Sequence, residues 1–152
     1  MTQIWNIEDK IEDALSGIIA AQNIAGLSLC KTYDSVLPEN PYCAVLALRS
    51  KKYMPDVVYG QAENRVVMVS IMVSGHAQDM TRAEYAELVG KVFDSVYIDE
   101  IVSTLNTALA GEVIVQEFDT GDLSRGISKH SYQTTLDVEI NCYPTTADED
   151  DE

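Results

Sequence analysis

The sequence lacks the apolar run that a membrane-spanning helix needs, and it lacks the common catalytic and cofactor-binding motifs. Gly60, Gly75 and Gly90 stand alone, so neither GxGxxG nor GxxxxGK[ST] occurs. The GxSxG and HExxH patterns are also missing. We therefore expect a protein that is not an enzyme, with no catalytic residue, no cofactor, no metal ligand and no membrane contact.

Cysteine is scarce and badly spaced for a structural role. Cys30, Cys43 and Cys142 are an odd number and form no CxxC pair, which excludes a disulfide framework and a typical zinc site. The first residues, MTQIWNIEDKIED, lack the basic and apolar regions of a secretory signal. We expect a cytoplasmic product with reduced thiols.

Positive charge is also scarce. Ten Lys and Arg face 25 Asp and Glu, for a net charge of −15, and the acids at 148–152 account for only part of it. Such a surface repels phosphate, which argues against tight nucleic-acid binding but not against a surface that DNA passes without adhering. Four basic residues are close together in the sequence: Arg49, Lys51, Lys52 and Arg65. The favoured interpretation of this group is a solvated hairpin tip.

Hydrophobic periodicity predicts three helices, at about 4–22, 82–95 and 99–109. Thr81 and Glu84 fit a capping box at the start of the second helix. The acids of the first helix are expected on its solvated side: Glu8, Asp9, Glu12 and Asp13.

Alternating apolar residues predict four main strands, near 42–50, 65–75, 112–118 and 132–143, with a possible short strand at 27–33. The stretch 119–131 is interpreted as a loop because it is rich in Gly and Ser. The order of elements indicates an α+β domain over 1–143, a mainly antiparallel sheet with an N-terminal helix and a helical pair packed on one face. Residues 144–152 are expected to form a disordered acidic tail.

The strand NRVVMVSIMVSG, residues 64–75, has two apolar faces. Alternate residues are expected to face the helices: Val67, Val69, Ile71 and Val73. The opposite face carries Val66, Met68 and Met72 and also needs cover, although the helices cover only one face. We expect a neighbouring subunit to cover it.

The best enzyme alternative is a set formed by Cys142, His130 and Asp137. Cys142, however, is in phase with the apolar side of its strand, where a buried thiol has a raised pKa and is inert. Asp137 is on the other side. His76 and His130 are interpreted as ordinary surface histidines.

Tyrosines are concentrated around the connection at 51–64, and Tyr53 and Tyr59 lie within it. Amphipathic rings are favoured at protein interfaces, but local packing explains them equally well.

The chain resembles the tail-completion, or tail-terminator, proteins of long-tailed bacteriophages over residues 4–143. The resemblance rests on an N-terminal amphipathic helix and on four stretches: ENPYCAVLAL, RVVMVSIMVSGH, YAELVGKVFDSV and SYQTTLDVEINCY. The family is recognised by this overall pattern, not by catalytic residues.

The resemblance implies an α+β subunit that assembles into a ring, usually hexameric. Such a ring caps the tail tube, stops its polymerisation and joins the filled head. The implied partners are further copies of the chain, the tail tube protein and the head–tail connector, with DNA passing through without specific binding. The implied location is the virion tail, assembled in the host cytoplasm.

Two other classes remain open. The chain could be a small accessory or binding module, monomeric or dimeric, that uses the Tyr-rich segment 53–59, or it could be another head–tail connector (neck) protein. The residues expected at the interface in the ring are Val66, Met68, Met72, Tyr53 and Tyr59.

Overall fold

A computed structural model of the chain describes residues 6–30, 41–52 and 64–145. Within them, three helices accompany five strands. The elements are α1 (Ile7–Ala20), β1 (Ser28–Cys30), β2 (Tyr42–Lys52), β3 (Arg65–His76), α2 (Arg82–Asp94), α3 (Ile101–Leu109), β4 (Val113–Ile127) and β5 (Ser131–Pro144). The predicted α+β class is confirmed, and the helix bounds agree with the predicted ones to within three residues.

The strands form one sheet in the order β1-β2-β3-β5-β4. β1 is parallel to β2, and the remaining neighbours are antiparallel. β3 therefore lies in the middle, hydrogen-bonded to β2 on one side and β5 on the other, as its two apolar faces predict.

The helices share one core with one face of this sheet. Val67, Val69, Ile71 and Val73 of β3 are at most 2% exposed, which confirms that this side of the strand is the core side. The helices contribute a matching stripe of buried residues: Ile7, Ile11, Leu15 and Ile19 from α1, Tyr85, Leu88 and Val92 from α2, and Ile101, Leu105 and Leu109 from α3.

The predicted capping box begins α2. The Glu84 N–H donates to Thr81 Oγ1 at 3.1 Å, and the Thr81 N–H donates to Glu84 Oε1 at 2.8 Å. These two bonds satisfy amides that a helix otherwise leaves without partners at its N-terminus.

Tyr85 fixes α2 to the sheet. Its hydroxyl donates to the Val73 carbonyl at 2.8 Å and bonds Thr134 Oγ1 at the same distance. The ring lies over Gly75, where a Cβ would come within 3.1 Å of Tyr85 Cδ1. The absent side chain at Gly75 is therefore what lets the ring approach the backbone of β3.

The stretch 119–131 is where the sequence-based expectation is wrong. It was interpreted as a loop, but β4 continues to Ile127 and pairs with β5 as far as the Ile127–Tyr132 register. The turn occupies only residues 128–130, and Ser128 Oγ accepts from the amides of His130 and Ser131. Backbone pairing with the regular strand β5 outweighs the low strand propensity of Gly and Ser.

The C-terminal boundary also differs slightly, because β5 ends at Pro144 and the Thr145 N–H donates to the Glu112 carbonyl. The rest of the predicted tail, 146–152, lies outside the described residues.

Replacing Tyr85 with Phe should lower the free energy of unfolding by about 1–3 kcal/mol, because buried hydrogen-bonding groups on Val73 and Thr134 lose their partner. Urea unfolding measures this loss. Thr134→Val in the same background is the control: if the two groups act through their shared bond, the double variant loses less than the sum of the single losses. Strict additivity would contradict that coupling.

Candidate interaction surface

The sheet has a second face, directed away from the helices, that no element among the described residues covers. We call it the open face. Its members include Tyr42, Ala44, Leu46, Arg49 and Lys51 of β2, Val66, Met68, Ser70, Met72 and Ser74 of β3, Gln133, Thr135, Asp137, Glu139, Asn141 and Tyr143 of β5, and Ile114, Glu117, Asp119 and Ser124 of β4.

Three of the five expected interface residues lie together on this face. Val66, Met68 and Met72 follow one another along its central strand, Val66 nearly buried and both methionines half-buried. Their placement on one face is as predicted from the alternation. Tyr53 and Tyr59 lie outside the described residues.

The methionines are held by polar neighbours on both sides. Arg49 Nε contacts Met68 Sδ at 3.1 Å from β2, and Gln133 Nε2 contacts Met72 Sδ at 2.9 Å from β5. Ser70, between them, donates to Asp137 Oδ1 at 3.0 Å. The centre of the open face is thus a mixed apolar and polar surface.

Charge is separated across this face. Arg49 and Lys51 lie on β2, in register with Met68 and Val66 of β3. On the far side, Glu117 and Asp119 of β4 are in register with Asn141 and Glu139 of β5. We call the first pair the basic margin and the second the acidic margin.

A bulge in β2 creates the basic margin. The register shifts between Ala47 and Arg49, so Leu48 is an extra residue and is 72% exposed. Without the bulge, Arg49 and Lys51 would remain in phase with Cys43, Val45 and Ala47, which face the core. The extra residue turns both cations to the open face and directs Ser50 toward α1.

Glu12 of α1 supports this bulge. Its carboxylate is 3% exposed and Oε2 accepts from the Ala47 N–H at 2.8 Å. One turn earlier, Glu8 accepts from Ser50 Oγ, and Arg65 Nε donates to the same hydroxyl at 3.0 Å. The expectation that Glu12 lies on the solvated side of α1 is therefore wrong, because an amide released from the ladder by the bulge needs a buried acceptor.

A second bulge creates the acidic margin. The register of β4 shifts between Val115 and Glu117, which turns Glu117 and Asp119 to the open face and Phe118 toward the core. Here α3 supplies the support. Asn106 Oδ1 accepts from the Val115 N–H at 2.7 Å, and Asn106 Nδ2 donates to the Val115 carbonyl at 3.1 Å.

Neither bulge is among the features expected from the sequence, although both leave a signal in it. Apolar residues recur at every second position through Ala47 and through Val115, and charges then continue in the same phase at Arg49 and Glu117. A charged residue at a position that would face the core by strict alternation predicts that the strand either ends there or contains an extra residue. The basic residues are accordingly divided: Arg49 and Lys51 lie on the open face, and Arg65 lies on the helix side.

The structure does not bring the enzyme alternative together. Cys142 is fully buried on the core side of β5, whereas Asp137 is exposed on the open face. His130 is in the β4–β5 turn, about 40 Å of strand away from Cys142. Burial raises the pKa of the Cys142 thiol to about 12, with a smaller contribution from Glu8 in the same direction.

The two histidines lie near each other, although they are far apart in sequence. His76 and His130 line one shallow depression together with Lys129. Across residues 6–30, 41–52 and 64–145, however, no three His, Cys, Asp or Glu side chains form a group that could hold a metal ion.

Another depression lies on the helix side of the molecule, between α1 and α3. It measures about 740 Å³ and is lined mainly by small side chains such as Ala14, Gly17 and Ala108. Lys10 and Glu112 form an ion pair at its rim, 2.7 Å long.

Comparison with known proteins adds no further assignment: neither a protein-family model nor a curated protein matches the chain. Among the described helices, none combines the length and the apolar character needed to cross a membrane.

Replacing Glu12 with Leu should lower the free energy of unfolding by about 1–3 kcal/mol, since the Ala47 N–H loses its buried acceptor. Asp9→Leu, on the exposed side of the same helix, is the matched control and should change stability by less than about 0.5 kcal/mol. Chemical denaturation measures both. Equal losses for the two variants would show that the carboxylate does not support the bulge.

The Cys142 thiol should resist alkylation in the folded protein and react fully in urea, because it is buried and its pKa is raised. Since the folded-state pKa lies above the unfolded value, its contribution to stability is complete below about pH 9 and is lost as the pH rises toward 12. Iodoacetamide labelling with peptide mapping measures reactivity. Rapid labelling of the native chain at neutral pH would contradict the placement.

Proposed function

We propose that the chain is a structural protein of a long-tailed bacteriophage, a tail terminator. Copies form a ring, a hexamer by the resemblance, that caps the tail tube and ends its polymerisation. The ring also provides the surface to which the head–tail connector binds. The protein performs no catalysis, needs no cofactor, and belongs to the virion tail after assembly in the host cytoplasm.

The observation that supports this proposal best is the open face. Val66, Met68 and Met72 lie along its central strand, while the three helices pack only on the opposite face. Met68 and Met72 keep part of their side chains exposed there, beside Val66, which is 9% exposed. Partly exposed apolar side chains rimmed by polar residues are typical of an interaction surface. In the proposed ring, an adjacent subunit covers the part of this face around Val66 and Met68.

The charge of the chain suits a ring around DNA. The net charge is −15, and the open face carries Asp137 and Glu139 at exposed positions. An acidic lumen would repel the phosphate backbone, so DNA could move through the ring without being held.

Met68→Glu is the direct test in tail assembly. The half-buried side chain lies outside the core, so the variant should fold. It should fail to cap tails, because a carboxylate at position 68 loses its hydration in the interface and pairs with Arg49 of its own chain, which removes that cation from the contact with the next subunit. Tail length and head joining, scored by electron microscopy, are the readouts. Capped tails of normal length would contradict the interface.

Two control variants separate folding from assembly. Ala86→Glu adds the same charge to the exposed side of α2 and should leave capping unchanged. Val69→Glu places the charge in the core, next in the chain to Met68, and should unfold the subunit.

A further inference from the structure

We propose that copies of this chain join head to tail, with the acidic margin of one subunit against the basic margin of the next. This inference rests on the self-assembly part of the proposed function and specifies which surfaces meet. Each margin thus binds a second copy of the chain.

The charges of the two margins are available for a partner. Among the described residues, no ion pair is found for Lys51, Glu117 or Asp119, and Arg49 contacts the sulphur of Met68. The margins are separated by three strand spacings, about 14 Å. That distance exceeds the Debye length of about 8 Å at physiological salt, so the margins scarcely neutralise each other within one subunit.

Both margins are also built in the same way. Each lies on a bulged strand near an edge of the sheet, and each bulge is fixed by a side chain from a helix, Glu12 for β2 and Asn106 for β4. Without either bulge, the charges would point toward the core. The fold therefore uses one buried and one partly buried polar contact to present one sign of charge at each side of the open face.

Charged, bulged edges also protect sheets against aggregation, and protection alone would account for charge at each edge. It does not require opposite signs at opposite edges. Because the two margins carry opposite signs, two acidic margins or two basic margins repel each other, whereas an acidic margin attracts a basic one. This difference selects a directional arrangement of subunits. A directional contact repeated by rotation gives a ring when the rotation closes and an open filament when it does not, and the proposed function requires the closed form.

A two-fold dimer with open faces in contact would also bring unlike margins together, but at a higher cost. It would place Met68 of one copy over the β5 acids of the other and bury Asp137 and Glu139 away from water. A head-to-tail contact at the margins leaves these two carboxylates solvated. In this arrangement the interface extends from Arg49 and Lys51 to the neighbouring side chains Met68 and Val66, which are their partners in register.

The test uses two charge-reversal variants of the full chain. Arg49→Glu/Lys51→Glu makes both margins acidic, and Glu117→Lys/Asp119→Lys makes both basic. All four side chains are exposed, so each variant should fold with a melting temperature close to that of the original chain. Each alone should associate at least about tenfold more weakly than the original chain.

Mixing the two variants in equal amounts is the decisive step. Each margin then finds an opposite charge on the other variant, so assembly should return, and native mass spectrometry should show alternating composition with an even number of subunits. The controls change net charge equally on α2: Arg82→Glu/Lys91→Glu and Glu87→Lys/Asp94→Lys. Both controls should assemble like the original chain.

Several results would overturn the inference. The original chain is expected to assemble, so a chain that stays monomeric up to about 1 mM, or that stops at a dimer, contradicts the inference. Charge-reversal variants that assemble normally on their own contradict it, and so does an equal mixture of the two variants that fails to assemble. Tail capping is scored separately. Restored assembly without capped tails would refute the tail-terminator function and leave the head-to-tail contact standing, whereas capping by either non-assembling variant would refute the contact alone.

Discussion

The hydrogen bond from the Ala47 amide to the buried Glu12 carboxylate determines what the surface of this sheet displays. It supports an extra residue in β2, and that residue decides on which face every later side chain of the strand lies. Arg49 and Lys51 reach the open face, and Ser50 meets Glu8 and Arg65 on the other side, only because of this shift. A buried carboxylate is expensive in isolation, and here its charge-assisted hydrogen bond to the backbone offsets part of that cost.

The contact between Asn106 and Val115 repeats the arrangement at the other side of the sheet with a neutral side chain. The two helices that provide these contacts also pack against each other along the α1–α3 groove. The helix layer therefore fills the core and, in addition, sets the charge pattern of a face that it does not touch. Helix packing and the open face are coupled through two hydrogen-bonded amides.

Much of the fold could be predicted from the sequence, because local signals and long-range packing agree. The helical stripe of α1, the capping box at Thr81 and the alternation of β5 all indicate the elements that form. The continuation of β4 beyond Phe118 could not be predicted, since its Gly and Ser residues become a strand only through pairing with β5. The shared face of Val66, Met68 and Met72 followed from alternation alone. The roles of Glu12 and Asn106 did not, because they depend on bulges in strands that are distant in sequence.

The position of β3 in the middle of the sheet has a consequence for the order in which the chain can fold. β2 precedes β3 in the chain and is available to it early. The other neighbour of β3 is β5, and the two strands pair residues as distant in sequence as Arg65 and Cys142. During synthesis from the N-terminus, one edge of the most apolar strand therefore stays unpaired until β5 emerges, after α2, α3 and β4. Contacts of such long sequence separation form slowly, and an unpaired apolar strand is prone to aggregation in the interval. A chain interrupted before β5 would lack the partner that closes this edge, so the complete polypeptide is needed to protect its own central strand.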